Sequence, residues 1–306
     1  DGMTLVLEQM LNGVQLGVML FLLAAGLTLI FGVMGVINLA HGSLYMIGAY
    51  GAAFVAAKTG SPWLSILAGL GAAALIGMVV EFGILRRLYA RDHLDQVLAT
   101  FALILFFNQA TSMIFGRQPL FVAAPPILSG SVELIPGLIY PVFRLAVIAV
   151  GLAVAAGLYV LINKTRVGML LRAGATHRQM VRALGVDVRI LFTIVFGLGA
   201  LLAGLAGVMA GPLSAVQVGM GEQILILTFV VVVIGGVGSV RGALFGALIV
   251  GMFDTLLRAF LPGILRSVMQ GPEADALAAG LSSMGVYLLM ALVLLVRPKG
   301  LFPADA

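Results

Sequence analysis

The chain has 306 residues, of which 62% are hydrophobic and 9% are charged, with a mean hydropathy of +1.18 and a net charge of +5. A soluble domain carries about 25% charged residues, so this chain has too little polar surface to cover itself in water. Composition therefore excludes a soluble globular protein, and the lack of cysteine excludes a disulfide framework and a thiolate metal site. Runs such as VMLFLLAAGLTLIFGV do not alternate as outer-membrane strands do. We predict an all-α polytopic inner-membrane protein.

Nine apolar stretches follow one another along the chain and predict eight to ten transmembrane helices, since one span needs about 20 apolar residues. The stretches at 43–57, 242–257 and 282–296 are shorter than a full span, so each is interpreted as a half-helix, a tilted helix or a continuation of its neighbour. The other six cover approximately residues 9–33, 63–85, 95–115, 142–162, 190–211 and 223–240.

The distribution of Lys and Arg predicts the orientation in the membrane. If all nine stretches cross and the N-terminus is outside, 12 basic residues fall on the inner side and 5 on the outer side. Cytoplasmic loops of membrane proteins carry this kind of excess. We therefore expect an outer N-terminus and an inner C-terminus.

A polar interruption, GVMGVINLAHGSLY at residues 32–45, separates the first apolar stretch from the second. It holds Asn38, His41 and Ser43, although no Asp, Glu, Lys or Arg occurs from Gln9 to Ala57. Two interpretations are open. The segment is either a solvated turn with His41 facing the cytoplasm or lipid headgroups, or irregular backbone that lines a route through the membrane.

A similar interruption lies 200 residues further along the chain. The stretches VMGVINLAHGSLY and VIGGVGSVRGALF align Gly35 with Gly235 and Gly42 with Gly242, which we interpret as helix-break or packing positions. Interrupted helices in two halves of a chain indicate a transport site at a repeat interface. We predict an internal repeat, although glycine-rich apolar sequence also aligns by chance.

The longest inner stretch, residues 163–189, carries six Lys or Arg residues and one acid, Asp187. From Gly168 to Leu184 the spacing predicts one amphipathic helix, with Gly185 as its C-terminal cap. Such a helix either lies on anionic lipid or docks a cytoplasmic partner, and the spacing favours neither.

Several motifs occur in order along almost the whole chain: LTLIFGVMGVINLAHGSLYMIGAY, RDHLDQVLATFALILF, GLGALLAGLAGVMAGP, VVVIGGVGSVRGALFGALIVG and RPKGLF. Together they resemble the permeases of the branched-chain amino-acid ABC transporter family, of the first permease subunit type. Within the inner stretch, RAGATHRQMVRALGV resembles the coupling loop by which ABC importer permeases engage their ATPases. Relatives import urea, short amides or aromatic acids, so the resemblance leaves the substrate open. Family members often have Pro where this chain has Arg241.

The resemblance implies a single transmembrane permease domain over residues 1–306, with a cytoplasmic coupling loop at 163–189, in the bacterial inner membrane. It implies four kinds of partner: a second homologous permease subunit, two cytoplasmic ABC ATPase subunits, a periplasmic solute-binding protein and membrane lipid, with no nucleic acid. No GxxxxGK[ST] phosphate-binding loop occurs in the sequence. We therefore expect a non-catalytic transport subunit that binds no cofactor itself, with ATP and Mg on partner subunits.

The site residues implied by this interpretation form two groups, with no catalytic residue and no metal site. His41 is favoured as a structural or gating residue, and Asn108 and Gln109 suit hydrogen bonding between helices as well as a substrate contact. The substrate path comprises Asn38, His41, Tyr45, Asn108 and Gln109. The residues for ATPase coupling are Arg172, Ala175, Arg178, Ala183, Leu184 and Gly185.

The main alternative is an ion-coupled secondary transporter that acts alone. It needs a buried carboxylate, and Glu81 and Asp254 lie in apolar stretches where we expect them to pair or to reach an interface. An intramembrane hydrolase is disfavoured, because Ser43 beside His41 is no aligned nucleophile and base and no GxSxG motif occurs. A small-solute channel leaves the 163–189 loop without a role.

Overall fold

The computed structural model of the protein describes residues 2–304. Two short strands, β1 (Ser131–Ile135) and β2 (Leu138–Pro141), lie between α4 and α5, and 3-10 turns cover Leu85–Arg87 and Pro126–Leu128. Eleven α-helices make up most of this described part: α1 (Gly2–Met34), α2 (His41–Thr59), α3 (Pro62–Gly83), α4 (His93–Phe115), α5 (Val142–Lys164), α6 (Arg166–Thr176), α7 (Arg178–Ala183), α8 (Val188–Ala210), α9 (Met220–Gly235), α10 (Val240–Arg266) and α11 (Gly271–Val296).

A helix covers most of each of the nine predicted apolar stretches. Two of the three short ones extend well beyond their apolar core, because α10 has 27 residues and α11 has 26. In the described part of the chain, seven helices are long and apolar enough to cross a membrane: α1, α3, α4, α5, α8, α10 and α11. Helix α2, with 19 residues, and α9, with 16, fall outside this group. The count of eight to ten spans therefore stays a prediction.

The loop between α4 and α5 contains a β-hairpin, which corrects the all-α prediction. Strands β1 and β2 pair antiparallel, with Val132 opposite Tyr140, and Gly137 takes a φ of 91° in the turn between them. The Gly137 amide donates to the Glu133 carboxylate at 3.0 Å. The two strands have only five and four residues and are separated by Pro136 and Gly137, so they were not predicted from the sequence.

The loop at 163–189, which is predicted to be the inner loop, also differs from its prediction, since two helices replace the single one expected over 168–184. Helix α6 ends at Thr176, and α7 begins at Arg178. Between them, His177 has a φ of −137° and a ψ of 74°, which are outside the helical region. The predicted cap is confirmed. Gly185 has a φ of 87°, and the Val186 amide donates to the Val181 carbonyl at 3.3 Å, as in a Schellman motif.

Helices α2, α3 and α8 pack on one another in one of two compact units of the chain. We call this part, residues 25–125 and 153–226, the α2–α3–α8 unit. Small residues permit close approach: a Cβ on Gly48 would lie 2.6 Å from the Gly204 carbonyl oxygen, and one on Gly69 would lie 2.6 Å from that of Gly48. The glycine-rich run GLGALLAGLAG of α8 is therefore closely packed, and an added methyl group there would cost about 1–3 kcal/mol by overpacking.

The other unit comprises the described residues up to Ala24, Pro126–Leu152 and those from Leu227 onward, and we call it the α10–α11 unit. Its helices also meet at glycines. A Cβ on Gly251 of α10 would lie 2.6 Å from the Gly17 Cα of α1, and one on Gly151 of α5 would meet Val18. The first half of α1 therefore contacts both α10 and α5. The single permease domain with its loop at 163–189 stays a prediction.

The helices differ in how much of their surface the chain itself buries. In the most apolar window of each helix, 83% of the residues of α1 and 67% of those of α8 are buried, against 17% for α5 and for α11. Leu288 and Leu292 of α11 are 63% and 59% exposed. Such helices need lipid or another protein around them. The chain is a multi-pass membrane protein.

Candidate functional site

The first helix break connects α1 to α2 through residues 35–40. Helix α1 ends where Gly35 takes a φ of 67°, and the Gly35 amide donates to the Phe31 carbonyl at 2.8 Å. The Asn38 side-chain oxygen then accepts the Ala40 amide at 3.0 Å, which turns the chain immediately before α2. Glycine and asparagine are therefore used here for local backbone geometry.

This break is buried. Asn38, His41 and Ser43 are 1%, 0% and 3% exposed, so the interpretation as a solvated turn is wrong for these three side chains. The imidazole Cε1 of His41 lies 3.0 Å from where a Cβ on Gly26 would be. Gly26 precedes the end of α1 by eight residues, about 12 Å along the helix, so the break returns the chain alongside α1.

Two polar side chains from elsewhere in the α2–α3–α8 unit bond to the first break and to the helix end before it. The Gln96 side-chain oxygen of α4 accepts the Ile37 amide at 3.3 Å, and its amide nitrogen donates to the Leu88 carbonyl at 3.2 Å. Arg178 of α7 donates to the Val33 carbonyl at 2.9 Å. That carbonyl is in the last turn of α1, where no intrahelical donor exists. The first break is therefore held from α4 and from the inner loop.

Arg178 differs from the other predicted coupling residues. Its guanidinium also lies over the Phe192 ring, 4.9 Å from the centroid, and it is half-buried. Burial, followed by the charge of Arg182, lowers its pKa from the ordinary value. The remaining five, Arg172, Ala175, Ala183, Leu184 and Gly185, are exposed.

The exposed surface of α6 and α7 is partly apolar. Met169, Met180 and Leu184 are 54%, 62% and 77% exposed beside basic residues of the same loop. The opposite face is buried through Gly168, Leu171, Gly174 and Val181. The predicted amphipathic character is present, and an apolar surface with basic neighbours is left uncovered.

Asn108 is connected to the start of α2 by the first turn of α9, which contacts both. It donates to the Glu222 carboxylate at 2.8 Å, and the neighbouring Gly221 is in backbone contact with Gly42. Gln109 is exposed on the outer face of α4 and does not join this group. Tyr45 is 5% exposed, and its carbonyl contacts Gly207.

Three buried polar atoms around the start of α2 lack a hydrogen-bond partner among the described residues. They are the Asn38 side-chain nitrogen, the Ser43 hydroxyl and the Asn108 side-chain oxygen. Such groups are rare in native proteins, because each loses its bonds to water on burial. Together they offer two donors and an acceptor to a polar solute.

The second helix break, residues 236–239, lies in the α10–α11 unit. Its glycines at 236 and 238 take φ values of 110° and 86°, and the Ser239 hydroxyl caps α10 by accepting the Gly242 amide at 3.0 Å. Backbone amides of Leu301 and Phe302 donate to the Ile234 and Gly235 carbonyls at 2.8 and 2.9 Å. The C-terminal RPKGLF motif therefore caps α9.

Gly235 at the end of α9 packs directly on Gly242 at the start of α10. Gly42 at the start of α2 packs instead on Gly221 of α9. Gly35 has a positive φ, whereas at the second break this conformation falls on Gly236. The two breaks share a helix–break–helix order and differ in these contacts, so the internal repeat stays a prediction.

Glu81, the candidate carboxylate for ion coupling, and Asp254 are both paired with cations. Glu81 is 0% exposed and accepts bonds from Arg86 at 3.4 Å, from Thr193 at 3.1 Å and from the Tyr89 hydroxyl. Asp254 pairs with Arg258 at 3.2 Å. The expected pairing is confirmed. Across residues 2–304, no group of three or more His, Cys, Asp or Glu side chains could hold a metal ion.

The sequence profile of the family described as "Branched-chain amino acid transport system / permease component" matches residues 9–296. The chain belongs to this permease family. The permease is 30% identical to the high-affinity branched-chain amino acid transport system permease protein LivH of Salmonella typhimurium (strain LT2), over 96% of this chain and 94% of LivH. It is 29% identical to LivH of Escherichia coli (strain K12), with the same coverage of both chains. Its identity to BraD of Pseudomonas aeruginosa is 28%, over 96% of this chain and 95% of BraD. No solved structure matches it significantly.

Sequence reasoning missed Gln96 of this permease as a residue that supports the first break. The available signal was weak: one amide in the first turns of an apolar helix, within the motif RDHLDQVLAT. Arg178 was predicted from the loop alone, and its contact with α1 joins residues 145 positions apart. Contacts of this separation leave no local pattern in one sequence.

Proposed function

We propose that this permease is the transmembrane subunit of an ATP-binding cassette importer. With a second homologous permease it forms the path for a branched-chain amino acid, or a similar small polar solute, delivered by a periplasmic binding protein. Two cytoplasmic ATPases drive the cycle, and this chain hydrolyses nothing itself. It lies in the bacterial inner membrane with a periplasmic N-terminus and a cytoplasmic C-terminus. The substrate class follows that of the branched-chain amino acid transport systems to which LivH and BraD belong.

The observation that carries the proposal is the bond between Arg178 and the Val33 carbonyl. It joins an exposed basic loop to a buried break where Asn38 and Ser43 present unpaired polar groups. A displacement of α7 therefore acts directly on the end of α1. An importer driven from the cytoplasm needs such a mechanical connection, whereas a protein driven by an ion gradient does not.

The exposed surface of α6 and α7 supports ATPase docking. Leu184 and Met180 are largely exposed. Their loop lies outside the seven helices that are long and apolar enough to cross a membrane. Exposed apolar patches with polar neighbours mark interaction sites. Arg172 and Ala175 extend the same exposed surface along α6.

The outer face of α4 supports a second permease. Only 22% of its most apolar window is buried, and the exposed face carries the amide of Gln109 among Phe101, Leu105 and Met113. An amide facing lipid would lack hydrogen bonds, whereas a facing helix could supply them. Under this proposal Gln109 contacts the partner permease and Asn108 belongs to the substrate path.

The ion-coupled alternative is disfavoured by the state of Glu81. Its carboxylate is fully buried, but Arg86 and two hydroxyl groups already satisfy it. A coupling carboxylate must exchange its proton or Na⁺ during the cycle, and a bound arginine opposes this.

Reconstitution in liposomes tests the proposal. The permease pair with both ATPases and the binding protein should accumulate a branched-chain amino acid when ATP is supplied, and should stop when ATP hydrolysis is blocked. The permease pair without ATPases should accumulate nothing in a proton or Na⁺ gradient. Accumulation by this chain without a nucleotide-hydrolysing partner would overturn the proposal.

A further inference from the structure

A polar cluster in the α10–α11 unit lies apart from every residue assigned above. Arg144, the third residue of α5, donates through one nitrogen to the Asn12 side-chain oxygen at 3.0 Å and to that of Gln15 at 3.2 Å. No carboxylate of the described residues lies within 4.0 Å of its guanidinium. A half-buried arginine is therefore held by neutral side chains.

The position of Arg144 also lacks a helix-stabilising explanation. The N-terminal turn of a helix carries the positive end of its dipole, so a cation there is unfavourable and an anion is favoured. The guanidinium and the first turn of α5 both favour a negative group. Arg144 retains donors beyond the nitrogen bonded to the amides, in a geometry suited to a carboxylate.

Gln15 provides a second donor that lacks an oxygen acceptor. Its side chain is 6% exposed, and its amide nitrogen donates only to the Met19 sulfur, at 3.0 Å. A thioether is a weak acceptor, so a carboxylate oxygen would replace it with a stronger bond.

Tyr140 fixes the geometry from the hairpin. Its hydroxyl donates to the Asn12 side-chain oxygen at 2.7 Å, and the residue is 1% exposed. Burial raises the pKa of Tyr140, Arg144 opposes that rise, and the charge of Glu8 adds to it. Glu8 precedes Asn12 by one helical turn on the same face of α1.

We propose that Arg144, oriented by Asn12, and the side-chain amide of Gln15 bind the carboxylate of the amino-acid substrate during transport. Glu8, one helical turn before Asn12 on the same face of α1, is the carboxylate that would pair with the ammonium group of the same molecule. This inference rests on the proposed function, because it names the part of the substrate that the permease recognises. The single cation makes the contact strong enough to orient the amino acid and weak enough to release it.

The primary experiment compares matched arginine variants in the complete transporter, reconstituted with ATPases and binding protein. Arg144→Gln should lower the maximal rate of L-leucine uptake by about 10-fold or more, since a charge-assisted bond is lost. Arg144→Lys should retain part of the rate. Arg117→Gln is the control, because Arg117 is exposed and bonds to a neutral Ser112 in the same way. Equal rates for Arg144→Gln and Arg117→Gln would overturn the inference.

A second measurement tests the carboxylate site even if Arg144→Gln prevents uptake by weakening the fold. The chain has no cysteine, so Asn12→Cys introduces a unique thiol beside Arg144. A sulfonate-bearing thiol reagent should label it about 10-fold faster than a trimethylammonium-bearing one, because the local charge attracts the anion. L-leucine should slow labelling, and L-leucinamide, which lacks the carboxylate, should not. Loss of the preference in the Asn12→Cys, Arg144→Gln double variant is expected.

The two hypotheses fail differently. If the wild-type complex takes up no amino acid with ATP, the proposed function fails, and the charge preference of labelling still measures an anion site. If the wild-type complex transports L-leucine but labelling shows neither charge preference nor protection, the carboxylate site is wrong and the importer stands.

Discussion

The two helix breaks are held by different kinds of bonds. At the first, the long side chains of Gln96 and Arg178 bond to Ile37 and Val33. At the second, the main chain of residues 301 and 302 bonds to the end of α9. The first break thus depends on groups at the ends of flexible side chains, one of them from the exposed inner loop. The second depends on backbone amides, while glycines in direct backbone contact lie beside both breaks: Gly42 with Gly221, and Gly235 with Gly242.

This difference indicates a division of roles. Side-chain bonds can exchange partners when a loop moves by a few ångströms, whereas bonds between backbone groups change only when the main chain itself moves. We infer that the first break changes during the transport cycle and that the second is a fixed joint. The following predictions test that comparison.

The largest effect is expected at the fixed joint. A Cβ on Gly242 would overlap the Gly235 carbonyl, so Gly242→Ala should lower the free energy of unfolding by about 1–3 kcal/mol despite its better helix propensity. Gly263→Ala, in the same helix with nothing within 4 Å, should be neutral or stabilising by up to about 1 kcal/mol. Thermal unfolding of the purified variants measures both. Equal stability of the two would show that the joint is not tightly packed.

The next largest effect is expected on coupling. Arg178→Gln removes a charge-assisted bond and the contact with Phe192, a loss of about 1.5–3 kcal/mol at the connection between loop and break. ATP-driven uptake should fall by about 10-fold or more while the ATPases continue to hydrolyse ATP.

The matched control for coupling is Arg182→Gln, an exposed arginine in the same helix. It should change uptake by less than about 2-fold, because exposed charges contribute little. Normal uptake by Arg178→Gln would contradict the role of this residue.

A smaller effect is expected in accessibility. Asn38→Cys, at a position that is 1% exposed, should react with a small polar thiol reagent at rates that differ between ATP-free and ATP-trapped states. Val237→Cys, in the second break and 45% exposed, should react at the same rate in both. Protection of position 38 in both states would mean that the first break does not line the route.

The smallest effect is expected for Arg241→Pro. Arg241 is the second residue of α10, where the amide has no intrahelical acceptor, so proline removes no backbone bond. Only the stacking of the guanidinium on Phe302, at 4.8 Å, is lost. Expression and unfolding temperature should stay close to wild type. Misfolding would show that the α10 start is more constrained than its bonds indicate.

Much of the helical layout was predictable because hydropathy is a local property. The stretch at 95–115 lies within α4, and that at 142–162 within α5. Prediction failed where local signals were short or absent: the hairpin after Pro126, the division of the inner loop at His177, and the extra turns of α11 before residue 282. Each depends on contacts or capping bonds rather than on a run of apolar residues.

The candidate site was predictable only in part, for the same reason. Asn38 and His41 stand out because polar residues are costly in an apolar run, and the structure buries both. Asn108 and Gln109 are adjacent and look alike in sequence, yet one bonds Glu222 and the other faces outward. Adjacent helical residues point about 100° apart, so only packing decides which of them faces the interior.

By itself, the sequence determined that this protein resides in the membrane, where its helices lie, and that it belongs to a permease family. Those properties follow from composition and from the order of motifs. Tertiary structure decided that Arg178 holds the end of α1, that Gln96 supports the first break, and that Arg144 meets two amides without a counter-charge. These contacts join residues 59 to 145 positions apart, and such pairings arise from packing rather than from local propensity.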